Sequence, residues 1–285
     1  MESFDHALKY LLEHEPAAFI RFALRGAVEV IRAVPTALPS RGRDVDGGCR
    51  VRVAGGERVA HTEFHRRNQS RQELAVDVAE AQIRFFRREK VPAVSMVWDL
   101  YGDRDAPVWS TCTLAYAEGS VSSYTRVNLR GMGWEALLAE GPAALWSLVA
   151  LTGDGATPEA VKAARDAIDA REELTDGQRA DQLAVLWFVA EAEAVAVKAL
   201  RMYIREEELM QSVLYQEIFG KGEARGEVKG RVAEARVAIA DVCELCGVAL
   251  TPERDAWVQA AELHQLHELR AHLKRERAWP ETLPG

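Results

Sequence analysis

Apolar positions recur at helical spacing at the start of the chain: Phe4, Leu8, Leu11, Leu12, Phe19 and Phe22. Steps of three and four place them on one face of an amphipathic helix over 4–24, which Pro16 kinks or splits. Residues 27–34 leave a helix end and a strand both open, and Pro35 to Gly48 reads as a loop rich in Pro, Gly and Arg. The period then changes to two. Cys49–Ala54 and Glu57–His65 flank Gly55-Gly56, which predicts a β-hairpin with those glycines as its turn. That turn pairs Ala54 with Glu57, Gly48 with Glu63 and Asp46 with His65. Ser70 and Glu73 form a capping box that opens a helix carrying Leu74, Val78, Ala81 and Phe85 on its apolar stripe, to about Glu89. Pro92 ends it. The apolar run Ala93–Tyr101 predicts a buried strand, and further strands are expected over 108–116 and 121–129. This order predicts an α/β unit with a mixed sheet.

From Trp134 onward the pattern is helical. Thr157-Pro158 is an N-cap with Pro at the first helical position, and Thr175 to Gln178 is a second capping box. Leu183, Leu186, Trp187, Ala190, Ala194 and Val197 mark a core-facing stripe, and 205–219 continue in helical phase. Gly220, Gly222, Gly226 and Gly230 punctuate a charged stretch, read either as a flexible linker or as a glycine-spaced helix. Val228, Val232, Ala235, Ile239, Val242 and Cys246 step like a short coiled-coil seam, which suggests a homodimer, and Gly247 would cap that helix. Thr251-Pro252 opens a final helix with Leu266, Leu269 and Leu273. The expected division is an α/β domain over 1–131, a helical extension over 132–219, and a glycine- and charge-rich linker with C-terminal helices over 220–285.

Charge adds a local contrast. The net charge is −8, against a general nucleic-acid coat, yet residues 41–90 hold twelve basic and eight acidic side chains, or +4, leaving −12 elsewhere. A basic field around an acidic cluster suits a phosphodiester and a metal. No apolar run reaches membrane-spanning length, and the acidic start Met1–His6 lacks a signal-peptide core, so the expectation is a cytoplasmic protein with no membrane partner. Cys243 and Cys246 have CxxC spacing on a helix without a second pair, which reads as helix packing. His264 and His267, one turn apart, read as a solvated helix face.

The candidate chemistry lies at His61-Thr62-Glu63-Phe64-His65. Alternation puts His61, Glu63 and His65 on one face, with Asp46 and Asp44 of the facing strand on the same side. Clustered carboxylates suit a hard cation such as Mg²⁺. The imidazoles of His61 and His65 with Glu63 also offer a transition-metal set.

These segments resemble the recombination-promoting nuclease / putative transposase family (YhgA-like, Rpn) of the PD-(D/E)XK nuclease superfamily. Asp5–Leu12 is similar to its opening helix, and Leu38–Asp44 to the segment presenting the first metal-binding aspartate. His61–His65 is similar to its HxExQ strand, the spacer ending at Arg71 to the start of its next helix, and the glycine-charge run to its C-terminal part. The resemblance implies a restriction-endonuclease-like mixed-sheet core followed by an α-helical C-terminal region. It implies a metal-dependent endonuclease acting on double-stranded DNA in recombination or mobile-element biology. Asp44 and Glu63 would hold Mg²⁺ or Mn²⁺, with Asp46 as the rival ligand to Asp44. His65 stands where the superfamily usually has Lys and this family often has Gln, making it the third catalytic candidate. Arg43, Arg66, Arg67 and Arg71 are the candidate phosphate contacts. The alternative is a catalytically degenerate nuclease fold acting as a protein- or DNA-binding regulatory module.

Overall fold

The computed structural model describes residues 2–36, 45–65, 70–117 and 120–282. The chain divides into two compact units, Met1–Gln216 and Glu217–Gly285. The first is α/β, built on a six-stranded mixed sheet: β1 (Glu29–Ala33), β2 (Gly47–Val53), β3 (Gly56–His65), β4 (Ala93–Asp99), β5 (Trp109–Ala117) and β6 (Ser120–Val127). Their spatial order is β1-β2-β3-β4-β6-β5. β1, β2 and β3 form an antiparallel meander; β3, β4 and β6 run parallel, and β5 closes the far edge antiparallel to β6. A parallel step needs a crossover, and α3 (Arg71–Glu89) supplies the one from β3 to β4.

The opening amphipathic segment forms two helices, α1 (Glu2–His14) and α2 (Pro16–Leu24). Pro16 starts α2 at a position where its missing N–H costs nothing. The ambiguous segment at 27–34 becomes edge strand β1. At α3 the capping box forms: Ser70 Oγ accepts from the Glu73 N–H, and the Glu73 carboxylate accepts from the Ser70 N–H. Lys90 ends the helix in a left-handed conformation, φ 60°.

The two sheet faces have different interiors. α2 lies on one, where Phe19 meets Trp98 at 4.8 Å and Phe64 at 6.0 Å between ring centroids, and Phe22 meets Trp98 at 5.7 Å. α3 covers the other with Val78, Ala81 and Phe85. Gly47 and Gly48 let both layers close on β2. A methyl at Gly47 would sit 2.7 Å from Leu12 of α1; one at Gly48 would sit 2.8 Å from Val34 and 3.2 Å from Phe85 of α3.

The hairpin register differs from the expected one. Ala54-Gly55 make the turn, Val53 pairs with Gly56, and Gly48 faces His61 rather than Glu63. The reason is Gly56. It takes φ 99° as the residue after the turn, the left-handed position that closes a hairpin of this kind. The slip is two residues, so every side chain keeps its face.

The rest of this unit is helical: α4 (Trp134–Glu140), a 3₁₀ segment Ala143–Leu151, α5 (Pro158–Asp169), α6 (Asp176–Ala192), α7 (Val197–Tyr203), α8 (Glu206–Leu209) and the first residues of α9 (Val213–Cys246). α6 is buried nearly all round, and its Asp181 accepts from Tyr10 of α1 and from Ser212, each at 2.7 Å. Thr157 and Thr175 cap α5 and α6 as their sequences predict.

In the second unit α9 continues as helix through Gly220, Gly222, Gly226 and Gly230, so the glycine-spaced helix is the reading that holds. The predicted final helix is two, α10 (Pro252–Ala260) and α11 (Leu263–Glu276). Ala235, Ile239, Val242 and Cys243 pack against Val258, Leu266, Leu269 and Leu273. The seam read as a dimer interface is therefore filled by the chain's own helices over this stretch. Gly247 ends α9 at φ 67°, with the Val248 N–H donating back to the Cys243 carbonyl. His264 and His267 are exposed. Among the described residues no helix is long and apolar enough to cross a membrane.

Candidate functional site

β3 carries the site, and its alternation explains the arrangement. Val59, His61, Glu63 and His65 point toward α3, whereas Ala60, Thr62 and Phe64 point toward α1 and α2. Parallel pairing then sets one β4 residue beside each: His61 beside Ser95, Glu63 beside Val97, and His65 beside Asp99. Glu63, His65, Val97 and Asp99 lie toward the carboxyl ends of β3 and β4, where open α/β sheets tend to place their ligands.

His61 is almost wholly enclosed, its side chain 1% exposed. Its Nδ1 lies 3.0 Å from Ser95 Oγ. Gln82 of α3 donates to the same hydroxyl at 3.0 Å and to the Ser123 carbonyl at 2.9 Å, and accepts from Ser122 Oγ at 3.0 Å. This chain of bonds fixes the imidazole plane. The other ring nitrogen, Nε2, is buried and has no hydrogen-bond partner among the described residues. It faces Glu63 Oε2 at 3.4 Å.

Glu63 is 12% exposed and, among the described residues, makes one further polar contact, a long one of 3.5 Å from the Asp46 N–H. Asp46, just before β2, is nearly buried. Its Oδ2 accepts from the Phe64 N–H at 2.8 Å, and its Oδ1 lies 3.4 Å from Lys9 of α1. Burial alone would lower the Lys9 pKa, but its contacts with Asp5 and Asp46 outweigh that and raise it. Asp46 thus latches the end of β2 to β3 and α1. Asp44, Arg43, Arg66 and Arg67 lie outside the described residues, as does the Arg71 side chain.

His65 leads to a second cluster that sequence reasoning missed. Its Nδ1 lies 3.2 Å from Asp99 Oδ1, and the other Asp99 oxygen accepts two hydrogen bonds from Arg126 of β6. Burial pushes the Asp99 carboxyl up; bonds from His65 and Arg126 overcome this and hold its pKa at about 2. A cavity of about 50 Å³ opens beside them, lined by His65, Asp99, Arg126, Leu74, Cys112 and Tyr124, among others. The signal available in the sequence was an aspartate at the end of the apolar run Ala93–Tyr101, where a strand interior has no use for a charge.

The donor chemistry fits one edge of a cation's shell. Among the described residues no group of three or more His, Cys, Asp or Glu is disposed to hold a metal ion. Glu63 and His61 nevertheless present an oxygen and an orphaned buried nitrogen to one point. Among the described residues, part of the basic set between 41 and 90 is paired. Arg50 and Arg52 pair with Glu57, Arg52 also with Glu29, and Arg84 with Glu80. The Arg50 and Arg52 pairs sit near the turn end of the hairpin, away from Glu63. No family model matches the chain, and no curated protein or solved structure is significantly similar to it.

Proposed function

We propose that the first unit is a metal-dependent DNA endonuclease of the PD-(D/E)XK type, related to the recombination-promoting nucleases. The observation that carries this reading is Glu63, a nearly buried carboxylate with no Lys or Arg side chain on it among the described residues, between two histidines at the mouth of a parallel strand pair. The sequence order supports it too: an opening helix, a meander ending in His61–His65, and a capped helix leading to a parallel fourth strand. In this reading Glu63 and Asp44 hold Mg²⁺ or Mn²⁺. When bound, such an ion polarises a phosphodiester and neutralises its charge. Asp99 orients the His65 ring, which stands at the position of the superfamily's lysine, and Arg126 keeps Asp99 ionised. Arg43, Arg66, Arg67 and Arg71 hold the duplex backbone.

The pairing of the described arginines favours one second reading, a nuclease fold retained as a regulatory module with the helices mediating assembly. Plasmid nicking with Mg²⁺ and Mn²⁺ separates the two. The nuclease reading expects cleavage by the wild type and none by Glu63→Ala or Asp44→Ala. An inert wild type with an active His65→Lys variant would mark a degenerate site, and no cleavage by any form would leave the binding role.

A further inference from the structure

We propose that His61 Nε2 and Glu63 Oε2 are adjacent ligands of one divalent cation, so that the site prefers a first-row transition ion such as Mn²⁺ to Mg²⁺. The inference rests on the metal site proposed above but does not require that the site cut DNA.

Three observations carry it. The first is the spacing. Two ligand atoms about 2.1 Å from one ion lie about 3.0 Å apart at a right angle and about 3.4 Å apart at a tetrahedral one. Nε2 and Oε2 are 3.4 Å apart. A direct charge-assisted hydrogen bond would close to about 2.7–2.9 Å. The second is the orphaned nitrogen. A buried ring nitrogen with no hydrogen-bond partner among the described residues is an expensive feature for a core, and this one is aimed at a carboxylate. The third is the support behind the ring. Metal-binding histidines bond through the other nitrogen to an outer group that fixes ring and tautomer. Ser95, itself held by Gln82, is placed to do this for His61 Nδ1. With a cation bound, Nδ1–H donates to Ser95 Oγ and the Nε2 lone pair faces the ion. An imidazole ligand suits first-row transition ions better than Mg²⁺, which favours oxygen.

The test uses the full chain and Mn²⁺ itself. Pulsed electron paramagnetic resonance on the Mn²⁺-loaded wild type should show ¹⁴N modulation from a directly bound imidazole. The modulation should vanish in His61→Gln and persist in His65→Gln. Titration calorimetry should show Mn²⁺ bound more tightly than Mg²⁺, with Ser95→Ala weakening Mn²⁺ by about tenfold and His61→Gln by more. Because the resonance signature is read on the unmodified chain, misfolding of a variant cannot hide the answer. If the wild type binds Mn²⁺ through Glu63 but shows no ¹⁴N modulation, the inference is overturned and the nuclease reading survives. If Glu63→Gln leaves Mn²⁺ binding unchanged, both fail.

Discussion

The two faces of the central sheet make different use of their burial. Toward α2, Phe19, Phe22, Phe64 and Trp98 interlock edge to face and stacked, with the Trp109 indole N–H satisfied by the Phe22 carbonyl at 2.9 Å. Toward α3, the same strands bury His61, Ser95 and Asp99, with Arg126 mostly enclosed. Aromatic burial stabilises without conditions. Buried polar groups break even only when every one of them finds a partner. Asp99 and Ser95 are partnered; among the described residues His61 Nε2 is not, and on the aromatic face neither is the Trp98 indole N–H. What separates the two is the neighbour: the Trp98 nitrogen lies among aromatic rings, whereas His61 Nε2 lies 3.4 Å from the Glu63 carboxylate. The proposed site lies on the α3 side, where the buried groups are titratable.

The sharpest break of the comparison comes from the aromatic face. Trp98→Ala should cost about 3–5 kcal/mol in denaturant unfolding, through lost burial and the cavity left behind. A cost as small as that of a surface substitution would mean that this face does not hold the fold. On the polar face, Asp99→Asn should cost on the order of 2 kcal/mol near neutral pH. The sign follows from the depressed pKa. Asp99 stabilises the fold above the ordinary carboxylate value of 3.8, and the contribution fades as pH falls toward about 2. The variant should therefore flatten the acid limb of the stability profile between those values, and an unchanged limb would remove the His65–Asp99–Arg126 network from the account. Ser70→Ala, which uncaps the helix covering the polar face, should cost about 1 kcal/mol. The smallest effect on stability belongs to Glu63→Gln, within about 0.5 kcal/mol of wild type without metal, since among the described residues Glu63 makes long polar contacts only. The same change should abolish metal binding. A large destabilisation would recast Glu63 as a structural residue.

Much of the first unit was legible in the chain, because its signals are local. The capping boxes at Ser70 and Thr175, Pro158 after its threonine cap, and the period-two run to His65 each name their element. The face shared by His61, Glu63 and His65 survived even a wrong turn, because a two-residue slip preserves alternation. The register itself was not legible: two adjacent glycines suit the turn equally, and only the backbone shows that Gly56 takes the left-handed place after it. Asp99 and Arg126 escaped for a different reason. They reach His65 through the parallel β3–β4 and β4–β6 pairings, 34 and 27 residues apart along the chain, and no spacing rule links them. The seam at 228–246 was read for its period alone, and period does not say whether the partner helix belongs to the same chain.

The most direct test of the account is the anomalous-difference map from crystals soaked in Mn²⁺. The account predicts a peak on the α3 side of the sheet, within coordination distance of both Glu63 Oε2 and His61 Nε2. A map with no peak at Glu63, or with Mn²⁺ bound only at surface carboxylates elsewhere, would contradict it.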